Sequence, residues 1–149
     1  GVDGVITVDL PPEEDAPLRT ELAAHGLAVI RLATPTTTEK RMETVANGSS
    51  GFVYYVSVAG VTGAGVGSES DISAGVERAR RISKLPVAVG FGVRTPEQAA
   101  VFARISDGVV VGSALVEARR CRIDGPSVRS ILLAQSVLNA EWLVLGVSG

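Results

Sequence analysis

Three features of the sequence predict an α/β fold built on a parallel sheet. Short apolar runs alternate with capped or amphipathic segments five times over. The segments between the runs carry helix signals: Thr38 as an N-cap, the Thr95-Pro96-Glu97-Gln98 capping box and Gly26 as a stop. Two of the turns, Gly90-Phe91-Gly92-Val93 and Gly112-Ser113-Ala114, directly follow the runs Val87-Ala88-Val89 and Val109-Val110-Val111 and lead into helix-like segments. A strand, a tight Gly turn and a helix N-terminus in series aim backbone N–H groups at one point, which attracts an anion such as phosphate.

The elements follow in order. Val5-Ile6-Thr7-Val8 reads as a buried strand closed by Asp9-Leu10-Pro11-Pro12. The Pro pair followed by Glu13-Glu14-Asp15 reads as a helix start, with acids on the positive end of the dipole. Leu18 and Leu22 face one side of that helix and Gly26 stops it. Ala28 to Ala33 is the second strand. Thr38 caps a helix with Met42, Val45 and Ala46 inward, ended by Asn47-Gly48. Phe52 to Val58, rich in aromatic and β-branched residues, is the third strand. Residues 60–70 form a long loop with four glycines, a candidate lid hinged at Gly60 and Gly65.

Ser70 or Asp71 caps the next helix, whose core face is Ile72, Val76, Ala79 and Ile82. Pro86 opens the fourth strand. Thr95-Pro96-Glu97-Gln98 is a capping box with Pro at the first helical position. Gly108 to Val111 is the fifth strand. Ser113 opens a short helix, and a final helix runs from about Ser127 to Trp142.

Strict βα alternation puts helices outside a parallel sheet. The 149 residues suit one domain. A five-stranded doubly wound sheet fits that length, whereas an eight-unit barrel needs about 250 residues. The phosphate-type turns after the last two strands favour the barrel, because an open nucleotide-binding sheet carries its phosphate loop after the first strand. The expectation is therefore a single partial (β/α) barrel domain with two open sheet edges.

Composition excludes several classes. A net charge of −2 gives no electrostatic footprint for nucleic acid or an anionic membrane. No apolar run reaches the ~20 residues of a membrane span. No signal peptide is read at the start, and the single cysteine, Cys121, suits a reducing cytoplasm. One cysteine and one histidine, His25, cannot build a His/Cys metal site.

Seven stretches in fixed order carry a resemblance to a known family. They are Gly1-Val2-Asp3-Gly4, Asp9 to Glu14, Pro35-Thr36-Thr37, Gly51 to Ser57, Gly60-Val61-Thr62-Gly63, Gly90 to Val93 and Asp107 to Ala114. Together they closely resemble the tryptophan synthase α subunits, from residue 1 to about residue 117. The resemblance implies the C-terminal part, strands 4 to 8, of a (β/α)8 TIM barrel, with the N-terminal three units absent from this sequence. It implies a lyase of tryptophan biosynthesis that cleaves indole-3-glycerol phosphate to indole and glyceraldehyde 3-phosphate. It also implies a β-subunit partner in an α2β2 complex. Pyridoxal phosphate would belong to that partner, with no cofactor in this chain.

Carried over residue by residue, Gly63, Gly92, Gly112 and Ser113 correspond to the substrate-phosphate site. Tyr54 and Thr62 correspond to supporting active-site positions, and Ile6, Val8 and Leu32 to the indole pocket. Asp9 to Pro12 correspond to the β-subunit contact surface. The family's acid/base carboxylates, on its second strand and in the stretch after it, match nothing here, so these 149 residues alone are expected to be inactive. The alternatives are a non-catalytic sugar-phosphate-binding or β-interaction module, and another phosphate-binding barrel such as an isomerase of histidine or tryptophan synthesis.

Read from the residues alone, Glu13, Glu14 and Asp15 suit a helix dipole rather than paired catalysis. Arg78, Arg80 and Arg81, and likewise Arg119, Arg120 and Arg122, read as solvated helix faces. His25 reads as a helix-end residue, and Cys121 as inert. On the third strand, Phe52, Tyr54 and Val56 share a face opposite Tyr55.

Overall fold

The computed structural model describes residues 2–57, 69–90, 92–112 and 143–144. Its strands are β1 (Gly4–Ile6), β2 (Ala28–Ala33), β3 (Val53–Val56), β4 (Val87–Gly90), β5 (Gly108–Val110) and β6 (Leu143–Val144). Its helices are α1 (Ala16–Ala24), α2 (Glu39–Ala46), α3 (Glu69–Ser83) and α4 (Pro96–Ile105).

Every strand pairs in parallel with the next in sequence, in the order β1-β2-β3-β4-β5-β6. That order decides between the two architectures. A doubly wound sheet reverses direction at a switch point, whereas a barrel adds each strand on the same side. The sheet is thus an arc of a (β/α) barrel.

One strand more is present than the sequence suggests. β6 pairs Leu143 with Val109 and Val144 with Val110, just past the expected end of the final helix at about Trp142, where the reading of the sequence assigns no element. A two-residue apolar strand carries no periodicity that separates it from a helical run. The helices expected from Ser113 and over 127–142 lie outside the described residues, as do Cys121 and Arg119, Arg120 and Arg122.

The pairing register sorts the strand residues into two faces. Val53, Tyr55, Val87, Val89 and Val111 are buried and pack with Met42, Val45, Ile72, Val76, Ala79, Ala99 and Phe102 of the helices. The opposite, concave face carries Ile6, Ile30, Leu32, Tyr54, Ala88 and Val110, linked by Ile6↔Ile30, Leu32↔Tyr54, Tyr54↔Ala88 and Gly90↔Val110. Tyr54 and Tyr55 therefore point to opposite sides, as alternation requires.

Local signals place most element ends. The α1 C-terminus is a Schellman motif: Leu27 N–H donates to Leu22 O at 2.9 Å and Gly26 N–H to Ala23 O at 3.0 Å, with Gly26 at φ +69°. Thr38 Oγ1 accepts from Arg41 N to cap α2. The Thr95/Gln98 capping box of α4 is formed in both directions. His25 sits at the exposed end of α1, 3.2 Å from Glu21.

Several expected positions shift. The Pro11-Pro12 segment does not open α1. Glu14 N–H donates to Pro11 O and closes a turn, and the helix begins at Ala16 with Pro17 in its first turn. Glu13, Glu14 and Asp15 therefore precede the helix, and its first turn holds no acid. Leu18 is exposed, and Leu22 alone of α1 is buried. Ser70 and Asp71 fall within the first turn of α3 rather than at its cap. β1 ends at Ile6, and Val8 is 70% exposed beyond it. β3 is shorter than expected, ending at Val56.

The arginines of α3 are more engaged than a solvated face implies. Arg80 reaches Asp107 at 3.0 Å, Arg81 reaches Glu39 at 2.8 Å, and Arg78 donates to Thr37 O at 3.2 Å. Asp107 Oδ2 also accepts from Val87 N at 2.8 Å, so this carboxylate fixes the start of β4.

Candidate functional site

Because all strands are parallel, their C-terminal ends lie on one rim, the side on which barrel enzymes assemble their sites. That rim carries Thr7 to Pro12 after β1, the Thr34–Thr37 turn after β2, Ser57 after β3, Gly92 after β4 and Gly112 after β5.

The two glycine turns are neighbours. Gly90 pairs with Val110, so Gly92 and Gly112 each stand two residues past a matched pair. Gly92 is exposed at φ +76°, a conformation that a side chain disfavours, and Gly112 is half-buried. The α4 N-terminus does not join this pair. Gln98 Oε1 accepts from Arg94 N at 2.8 Å and Thr95 N at 3.2 Å, and Thr95 Oγ1 accepts from Gln98 N at 3.3 Å. Those amides are therefore engaged by the capping box.

Tyr54 lies under the β4 turn. A Cβ placed on Gly90 would sit 2.5 Å from Tyr54 Oη and 2.7 Å from Val110 Cβ, so the ring lies across a position only glycine fills. Burial pushes the Tyr54 phenol above its ordinary range. Ile6 and Leu32 stand half-buried on the same concave face. Val8 is not among them, since it leaves the sheet with the rim segment. Thr62, Gly63 and Ser113, with the Gly60 and Gly65 hinges, lie outside the described residues.

Two features, one on the rim and one in the middle of β2, go unseen in the sequence reading. Ser57 is fully buried and donates to Gly90 O from both N and Oγ, each at 2.9 Å. Its signal was a serine continuing the outward alternation of Val53 and Tyr55. Arg31 is 3% exposed in the middle of β2. It pairs with buried Asp15 and donates to Thr44 O, Val45 O and Asn47 O at the end of α2. A charge inside an apolar strand run always needs a partner, and that was the available signal. Glu13 pairs with Arg41, whose hydrogen bond holds the carboxyl below the usual carboxylate range. These two ion pairs staple the segment after β1 to β2, through Arg31, and to α2, through Arg41. Between them is a cavity of about 280 Å³ lined by Thr7 to Pro12, Arg31, Leu32, Thr37, Arg41 and Val45.

Among the described residues no cluster of three His, Cys, Asp or Glu could hold a metal ion. No helix among them is long and apolar enough to cross a membrane.

Comparison with known proteins agrees with this geometry. The family model described as tryptophan synthase alpha chain matches residues 1–138. A curated tryptophan synthase alpha chain from Erythrobacter litoralis is 64% identical over 117 residues, covering 78% of this chain and 45% of that protein. A crystal structure of tryptophan synthase subunit alpha from Legionella pneumophila superposes with a TM-score of 0.73 at 38% identity, covering 92% of this chain and 53% of that one. A chain of the tryptophan synthase α2β2 complex from Pyrococcus furiosus gives 0.68 at 33%, covering 94% and 55%. The chain thus spans about half the length of the relatives it matches. With the family model matching all but the last residues and the strand order that of a barrel, the chain belongs to the tryptophan synthase alpha chain family.

Proposed function

We propose that this chain supplies the phosphate anchor and part of the indole pocket of a lyase that cleaves indole-3-glycerol phosphate to indole and glyceraldehyde 3-phosphate. The observation that carries the reading is the register of β4 and β5, which stands Gly92 and Gly112 side by side above the face bearing Tyr54 and Leu32. In this reading the backbone amides of Gly63, Gly92 and Gly112, with Ser113, hold the phosphate. Ile6 and Leu32 flank the indole. Tyr54 stands beside the reacting carbon, and Thr62 closes over the site.

The bond cleavage is a retro-aldol step. A carboxylate protonates the indole ring carbon, a second steadies the ring nitrogen, and loss of the glycerol hydroxyl proton releases the aldehyde. The resemblance assigns both carboxylates to segments that match nothing in these 149 residues. Alone, the 149 residues are therefore inactive in this reading, and they work as part of a complete barrel in the cytoplasm. Asp9 to Pro12, followed directly by the Glu13–Arg41 and Asp15–Arg31 pairs that tie the chain to α2 and β2, face a β subunit. Pyridoxal phosphate is that partner's group, and no residue of this chain is assigned to it.

Mixing the chain with the family's N-terminal three βα units tests the proposal. Indole release from indole-3-glycerol phosphate by the folded mixture, absent from either piece, is the expected result. A folded complex that stays inactive would overturn it.

A further inference from the structure

We propose that Ser57 is a positioning residue that sets the β4 turn for anion binding. The inference rests on the reading of that turn as a phosphate anchor and adds a residue to it. The Gly90 carbonyl accepts two hydrogen bonds from one residue, Ser57 N and Ser57 Oγ, both at 2.9 Å. A carbonyl oxygen has two lone pairs, and here both are engaged. The peptide that follows Gly90 cannot rotate without losing both bonds. Ser57 is fully buried, so water does not replace the lost partner.

The other side of Gly90 is closed as well, with Tyr54 Oη and Val110 Cβ packed against its α-carbon. The chain therefore leaves β4 for the Gly92 turn, at φ +76°, from a Gly90 fixed at its carbonyl and closed off beside its α-carbon. An anion site made of backbone amides gains from such fixing, because no reorganisation is then needed when the ligand arrives. Packing alone does not call for the hydroxyl. The outward positions before it on β3 are Val53 and Tyr55, both in the apolar core, and an alanine at 57 would leave only the Gly90 bond unmade.

The test uses the full chain and glycerol 3-phosphate as the probe, by calorimetry at a temperature where circular dichroism shows every variant folded. Ser57→Ala is expected to weaken binding about tenfold, the equivalent of one buried hydrogen bond. Ser57→Thr, which keeps the hydroxyl, is expected to stay within about twofold of the parent. The Gly92 and Gly112 amide resonances should move in Ser57→Ala and return in Ser57→Thr, a pattern that a general loss of stability would not give. Ser57→Cys keeps the size with a weaker donor and serves if the alanine variant does not fold. Parent-like affinity in Ser57→Ala, or in Ser57→Cys in its place, overturns the role of Ser57 while leaving the phosphate reading intact. A folded parent that binds no glycerol 3-phosphate overturns both.

Discussion

Arg31→Met removes a cation from the middle of β2, and its cost follows from what Arg31 touches. The Arg31 side chain is 4% exposed and its partner Asp15 is 1% exposed. Arg31 Nε donates to Asp15 Oδ2 at 2.8 Å, and Nη1 donates to Thr44 O and Val45 O at 3.1 Å and to Asn47 O at 2.8 Å. The methionine leaves the Asp15 carboxylate buried, with only Arg19 Nε at 3.7 Å nearby. It also takes a donor from the last carbonyls of α2, where a cation complements the negative end of the dipole. Breaking a buried pair from one side costs about 3–5 kcal/mol. That is a large part of the ~5–15 kcal/mol that holds a domain together.

Urea unfolding followed by circular dichroism reads this directly. With a slope of about 2 kcal/mol/M, the midpoint of Arg31→Met should fall by about 2 M. Asp15→Ala should fall by less, because Arg31 keeps its three carbonyl acceptors. The double variant Asp15→Ala/Arg31→Met should be more stable than the sum of the singles implies, since an apolar pair leaves no orphaned charge. A midpoint shift below about 0.5 M for Arg31→Met, or strict additivity in the double variant, would refute the claim that this pair anchors α2 and the segment after β1.

Other consequences are equally open to measurement. Gly90→Ala drives a methyl group into Tyr54 Oη and Val110 Cβ; the expected destabilisation is about 1–3 kcal/mol, and calorimetric melting would show it. Thr95→Ala removes the capping box of α4 and should cost about 0.5–2 kcal/mol in chemical denaturation. Burial raises both phenols, that of Tyr55 against an opposing pull from Arg78. A raised native pKa means that the folded state keeps its protons longer. Stability is therefore full below the ordinary tyrosine pKa and declines as pH climbs from there through the folded values. Tyrosinate absorbance should thus appear later on the native chain than on the chain in denaturant, and coincident titrations would contradict the burial of these rings.

Much of the fold was legible because local chemistry announced it. The Thr95-Pro96-Glu97-Gln98 box, the Gly26 stop and the Thr38 cap all form as their residue types dictate. The face of α3 carrying Ile72, Val76 and Ala79 followed from helical spacing. α1 starts at Ala16 and not at the Pro pair because Pro11-Pro12 and three acids mimic a helix entry, while Asp15 is drawn instead to Arg31, sixteen residues away. The glycine turns were visible as candidates, but the α4 N-terminus behind Gly92 proved to be occupied by its own cap.

By itself the sequence determined the types of the elements from β1 to β5, the parallel character of the sheet and the family, because periodicity, caps and ordered motifs are properties of neighbours along the chain. Tertiary structure alone decided that the strands add in one direction, that Gly92 and Gly112 stand together, and that Ser57 and Arg31 each serve a distant carbonyl. Those facts join residues far apart in sequence, and such pairings are selected only when the chain closes its core and every buried donor must find an acceptor.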